Sequence, residues 1–212
     1  MRALVAVLVA SLAFAGPVHA TERIVVAFGD SLTAGLGVMP DESYPAQLQA
    51  RLRADGYAYR VVNAGASGDT TAGGLRRVDW ALKNKPDVVI VALGANDGLR
   101  GLPTIAMRDN LRAIVRRAQS AGAKVLLAGM RLPPNYGVDY AQEFEKVFSD
   151  LARGTKAPLI PFLLEGVAGE ARLNLADGIH PNAEGQRRVA EHVWPHLRQL
   201  LAKAGVSRGA LQ

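Results

Sequence analysis

Five short apolar runs punctuate the chain: Ile24 to Phe28, Arg60 to Asn63, Val88 to Leu93, Val125 to Ala128 and Leu159 to Phe162. Near-continuous apolar strands predict a parallel sheet covered on both faces. Helical patterns fill the intervals. Leu111, Ile114, Val115 and Ala118 share one stripe between Thr104 and Ala121, and Gly122 supplies a stop. Tyr44 to Ala54 carries Pro45 near its start, Thr71 to Lys83 ends before Pro86, and Asp139 to Arg153 ends before Gly154. A last helix is expected from Ala183 to Ala204, kinked at Pro195. Strands alternating with helices predict a three-layer α/β/α sandwich around a parallel sheet joined by right-handed crossovers.

The first twenty residues stand outside that pattern. Arg2 precedes an apolar stretch from Ala3 to Ala15, Gly16-Pro17 breaks it, and Val18-His19-Ala20 provides small residues for cleavage. The stretch is shorter than the roughly 20 residues a membrane span needs, so an export signal at 1–20 is expected rather than an anchor. The mature product is then periplasmic or secreted, and residues 21–212 form a single domain. The chain contains no cysteine, which excludes disulfides, a thiolate nucleophile and Cys-ligated zinc. Net charge is +6 and becomes +5 once Arg2 leaves with the signal. The pairs Arg76-Arg77, Arg116-Arg117 and Arg187-Arg188 fall in helical segments and read as solvated faces. No aromatic and basic interleaving accompanies them, so no nucleic-acid partner is expected, while transient attraction to lipid surfaces is compatible with the charge. The chain is expected to act as a monomer on a small molecule.

In open parallel sheets, ligands bind beyond the strand C-termini, and there the polar residues of this chain gather. The first run ends in Gly29-Asp30-Ser31-Leu32, so Ser31 is either a nucleophile held at a strand end or the cap of a following helix. The second run leads into Asn63-Ala64-Gly65-Ala66-Ser67-Gly68-Asp69-Thr70 and the third into Gly94-Ala95-Asn96-Asp97-Gly98. Glycine N–H groups and an Asn amide there could hold an oxyanion, or the loops could be ordinary turns with Asp69 and Asp97 capping helices. Asp177-Gly178-Ile179-His180-Pro181 brings a carboxylate and an imidazole together in one loop, suited to a general base and its orienting partner or to a capped turn. His192 and His196 share an i, i+4 spacing but lack a third ligand, and they read as structural or exposed. No Gly-x-Ser-x-Gly elbow, Walker loop or dinucleotide fingerprint is present, so chemistry without a metal or cofactor is expected. Ser67 is a rival nucleophile.

Taken together, Gly29-Asp30-Ser31-Leu32, the Gly68 loop, Gly94-Ala95-Asn96-Asp97 and Asp177-Gly178-Ile179-His180-Pro181 resemble, in order, the four blocks of the SGNH (GDSL-type) hydrolases. Ser67-Gly68-Asp69-Thr70, Asn96 to Gly101 and Arg131 to Gly137 are similar to the bacterial periplasmic acyl-CoA thioesterase/lysophospholipase/arylesterase group. The resemblance implies a flavodoxin-like fold with a five-stranded parallel sheet and hydrolysis of esters and thioesters. It also implies Ser31 as nucleophile with Asp177 and His180, and Ser31, Gly68 and Asn96 as the oxyanion hole. By the same match Ser67 is not the nucleophile. An acyl groove is expected from Leu99, Leu102, Pro103, Leu132, Pro133 and Tyr136, although ordinary loop packing explains them equally well. A carbohydrate acetylesterase would use the same triad, and a noncatalytic envelope-binding module is the reading from a different class.

Overall fold

The computed structural model describes residues 23–83 and 85–202. The expected signal segment and the last two residues of the expected final helix lie outside them. Strand β1 (Arg23–Gly29) is an inner strand of the sheet, with Val25 to Phe28 fully buried. It pairs in parallel with β2 (Tyr59–Gly65) on one side and β3 (Val88–Ala92) on the other. Strands β4 (Lys124–Ala128) and β5 (Leu159–Ile160) extend the sheet, giving the order β2-β1-β3-β4-β5 with all pairs parallel. The sheet is the α/β arrangement that the apolar runs predict. The fifth strand is shorter than its apolar run, because Pro161 has no N–H with which to continue the ladder.

Helices α1 (Ser31–Ala34), α2 (Tyr44–Ala54), α3 (Thr71–Leu82), α4 (Ala95–Leu99), α5 (Thr104–Ser120), α6 (Val138–Thr155) and α7 (Ala183–Ala202) occupy the intervals. One layer holds α2 against α7, and the other holds α3, α5 and α6 in succession. The stripe predicted on α5 is buried as expected. Helix α7 continues through Pro195. The two short helices α1 and α4 were not evident from periodicity, since four or five residues are too few to show a 3.6-residue repeat.

Chain order reverses between β1 and β3. From β1 the sheet grows outward to β2, and from β3 it grows the other way through β4 to β5. This switch leaves a crevice beyond the strand ends, between the loops that follow β1 and β3. Ser31 follows β1 and Asn96 follows β3.

Candidate active site

Ser31 is the first residue of α1, and the helix is capped not by Ser31 but by Asp30, whose Oδ1 accepts the Leu32 N–H at 3.0 Å. The Ser31 hydroxyl is therefore free for other work. Its Oγ lies 2.9 Å from His180 Nε2, across 149 residues of sequence. His180 Nδ1 is 2.7 Å from Asp177 Oδ2. Because an ionised carboxylate only accepts, Nδ1 carries the ring proton and Nε2 presents a lone pair to Ser31.

The loop that supplies both partners is locally determined. An isolated antiparallel bridge joins Asn174 to Pro181, and Leu175 N donates to His180 O at 2.7 Å. Gly178 turns the chain with a φ of 69°, in the region that favours glycine. Asp177 Oδ1 accepts both the Ile179 and His180 N–H groups, at 2.9 and 3.0 Å. The His180 main-chain bond, then the Ile179 bond and the imidazole bond, hold the Asp177 carboxyl down at about 2. It is thus both the cap of a turn and the partner of an imidazole, so the two sequence readings of this segment coexist.

The loop after β2 turns at Ala66 to Asp69, where Asp69 N donates to Ala66 O at 3.1 Å and Gly68 has a φ of 77°. Gly68 must take this left-handed conformation, which a Cβ would disfavour. Asn96 Nδ2 donates to Asp69 O at 3.0 Å and lies 3.4 Å from Asp30 Oδ2. Among the described residues, the main-chain N–H groups of Ser31 and Gly68 have no hydrogen-bond partner. Two unengaged donors and an amide therefore stand on the loops that follow β1, β2 and β3, linked to one another through the Asn96 contacts with Asp30 and Asp69. Asp97 caps a helix, though not its own: its carboxylate accepts the Thr71 N–H and Oγ1–H at the start of α3. Asp69 caps none and instead meets Arg77 at 2.6 Å.

Asp30 is buried beneath this cluster, and burial pushes its carboxyl up to about 6 despite the Leu32 bond. Gln186 of α7 is also buried. It accepts from Tyr44 N at 2.8 Å and donates to Leu32 O at 3.3 Å, tying the helix after His180 to the helix that bears Ser31. Neither residue stood out in the sequence; a charged residue directly after a buried strand was the available signal for Asp30.

A cavity of about 520 Å³ opens beside Ser31, Asn96 and His180. Of the six groove residues expected from sequence, Leu99, Leu132 and Pro133 line it. Leu102, Pro103 and Tyr136 do not: Leu102 and Pro103 are exposed where α5 begins, and Tyr136 braces the groove from behind by donating to Leu99 O at 3.0 Å. The larger side chains that add to this apolar wall include Met130, Phe162, Leu164 and Ile179, which lie just beyond β4 and β5 or beside His180. Periodicity does not pick out such residues, because nothing local separates a cavity wall from a core. His192 donates to Phe162 O at 3.0 Å and packs its ring against His196. Among the described residues no cluster of His, Asp and Glu has the form of a metal site.

Residues 27–188 match the GDSL-like lipase/acylhydrolase family. The chain belongs to that family. It is 46% identical over 184 residues to esterase TesA of Pseudomonas aeruginosa, covering 86% of this chain and 92% of that protein. It is 38% identical to the thioesterase 1/protease 1/lysophospholipase L1 of Escherichia coli K12, over 82% of each chain. A crystal structure of TesA superposes with a TM-score of 0.82 at 46% identity, covering 84% of this chain and 99% of the other. The family member described here is accordingly an ester hydrolase with the SGNH fold.

Proposed function

We propose that this enzyme cleaves carboxylic esters and thioesters of acyl chains through a covalent intermediate on Ser31. The observation that carries this reading is the continuous line from Asp177 through His180 to Ser31, with contacts of 2.7 and 2.9 Å. His180 Nε2 removes the Ser31 proton as Oγ attacks the carbonyl carbon, and the carbonyl oxygen becomes an oxyanion. The N–H groups of Ser31 and Gly68 and the Asn96 amide receive that charge. Collapse of the tetrahedral intermediate breaks the bond to the alcohol or thiol, which takes the proton from His180. Water then repeats the sequence on the acyl-enzyme, releasing the acid and restoring Ser31. Asp177 holds the imidazole in the required tautomer and offsets its transient positive charge.

The apolar cavity favours an acyl chain over the acetyl group of a decorated sugar, since an acetyl group would leave most of about 520 Å³ unused. Aryl esters, acyl thioesters and lysophospholipids share the required chemistry. Export of the chain, with residues 1–20 removed, would put lipid esters of the cell envelope within reach. The test is Ser31→Ala with a panel of aryl esters, acyl-CoAs, lysophospholipids and acetylated sugars. The reading requires loss of turnover on the whole panel and, in the wild type, preference for acyl chains longer than acetyl. A Ser31→Ala enzyme that still turns over esters contradicts it.

A further inference from the structure

Arg77 does not stand on a solvated helix face, as its pairing with Arg76 suggests. Its side chain is largely buried, and the guanidinium lies 4.1 Å from the centre of the Phe28 ring. Each of its nitrogens is engaged. Nε donates to Asp69 Oδ2 at 2.6 Å, Nη1 to Ala64 O at 2.7 Å and Nη2 to Gly29 O at 2.7 Å. These acceptors are not scattered. Gly29 ends β1, two residues before Ser31; Ala64 lies at the end of β2; Asp69 closes the turn that contains Gly68. Gly29 O also accepts Ala66 N at 3.0 Å, so the same carbonyl anchors both the guanidinium and the start of that turn. Asp69 O in turn accepts the Asn96 amide at 3.0 Å. One side chain therefore reaches the supports of all three groups assigned to the oxyanion hole.

Gly73 shows that the arrangement is built. It faces the Asp69 carboxylate so closely that a Cβ there would come within 1.7 Å of Oδ1. The absence of a side chain at Gly73 is what allows Asp69 to reach Arg77.

We propose that Arg77 is a positioning residue for ester hydrolysis, setting the spacing of the Ser31, Gly68 and Asn96 donors through Gly29 O and Asp69. This inference rests on the function proposed above. A planar fork with fixed donor directions meets three acceptors at once, which a lysine ammonium on a flexible stem cannot reproduce. Oxyanion stabilisation depends on donors placed before charge develops, so a small displacement is felt in kcat rather than in ground-state binding.

The experiment compares Arg77→Lys and Gly73→Ala in the full chain with wild type, on p-nitrophenyl butyrate and well below each melting temperature. Gly73→Ala displaces Asp69 while keeping the Arg77 guanidinium, so it tests the Asp69 arm of the arrangement separately from the side chain itself. Each variant is expected to lose about 10²-fold in kcat with KM changed less than about threefold, as for a misplacement near 1 Å. Methylguanidinium should recover part of the loss in Arg77→Ala. A kcat within about threefold of wild type in folded Arg77→Lys and Gly73→Ala overturns the inference, as does a loss that merely follows the unfolded fraction. If Ser31→Ala remains active, the proposed function itself has failed. If Ser31→Ala is inactive while Arg77→Lys keeps full kcat, only the role of Arg77 has failed.

Discussion

Individual side chains near Ser31 have separable duties that substitution can isolate. Asn96 carries no formal charge, and beyond its ground-state bond to Asp69 O its amide is placed to serve the developing oxyanion. Asn96→Ala should lower kcat by about 10²–10³-fold with little change in KM, as for loss of one oxyanion donor, and steady-state kinetics on an aryl ester measures it. Asp30 acts on stability. Its carboxyl titrates near 6 in the folded chain because burial disfavours its charge, against about 3.9 when unfolded. The folded state therefore binds the extra proton between those values. Its contribution is fully present below pH about 4 and lost as pH rises through about 6, a difference on the order of 3 kcal/mol. Asp30→Asn retains a cap oxygen for Leu32 and should remove this slope. Urea unfolding of wild type and variant at pH 4 and pH 7 reads the difference. Some residue roles were legible in sequence: Asp177 and His180 were marked by a loop that supplies an acid and an imidazole together. Others were not. Arg77 looked like one half of a solvated pair, and only the sheet, by collecting Gly29 O, Ala64 O and Asp69 around it, shows where its charge is used.

At the level of elements, the strands were readable because burial on both faces leaves little room for polar residues, and the long helices because their stripes repeat over several turns. The elements that matter most for chemistry are the least periodic. Helix α1 has four residues and α4 has five, and each is held by side-chain bonds rather than by a repeating stripe: α1 by the Asp30 cap and Gln186, α4 by the reach of Asp97 to Thr71. The cavity wall is likewise assembled from segments distant in sequence. Each methylene that enters it should add about 0.8 kcal/mol of binding, or about fourfold, to the transition state. The kcat/KM of a p-nitrophenyl ester series should therefore climb by up to about that factor per carbon until the cavity is full. Leu99→Asp should flatten the climb while sparing the acetate ester. A flat series in the wild type, or equal losses at every length in the variant, argues against an acyl site at this place.

Considered whole, the molecule converts one topological feature into a reaction centre. Chain order switches between β1 and β3, and the crevice so formed receives Ser31 from one side and Asn96 from the other. His180 and Asp177 come from a loop more than 140 residues beyond Ser31, which α7 ties back through Gln186 to Tyr44 and Leu32. The order of the four motifs anticipates this convergence, but distances and the free state of the Ser31 and Gly68 N–H groups exist only in the folded chain. The central claim is that Ser31, and not Ser67, is the nucleophile. Its most direct test is to treat the folded enzyme with diethyl p-nitrophenyl phosphate and locate the adduct by peptide mass spectrometry. A single diethylphosphoryl group on Ser31, absent from Ser31→Ala, is the predicted result. An adduct on Ser67, or undiminished labelling of Ser31→Ala, would contradict it.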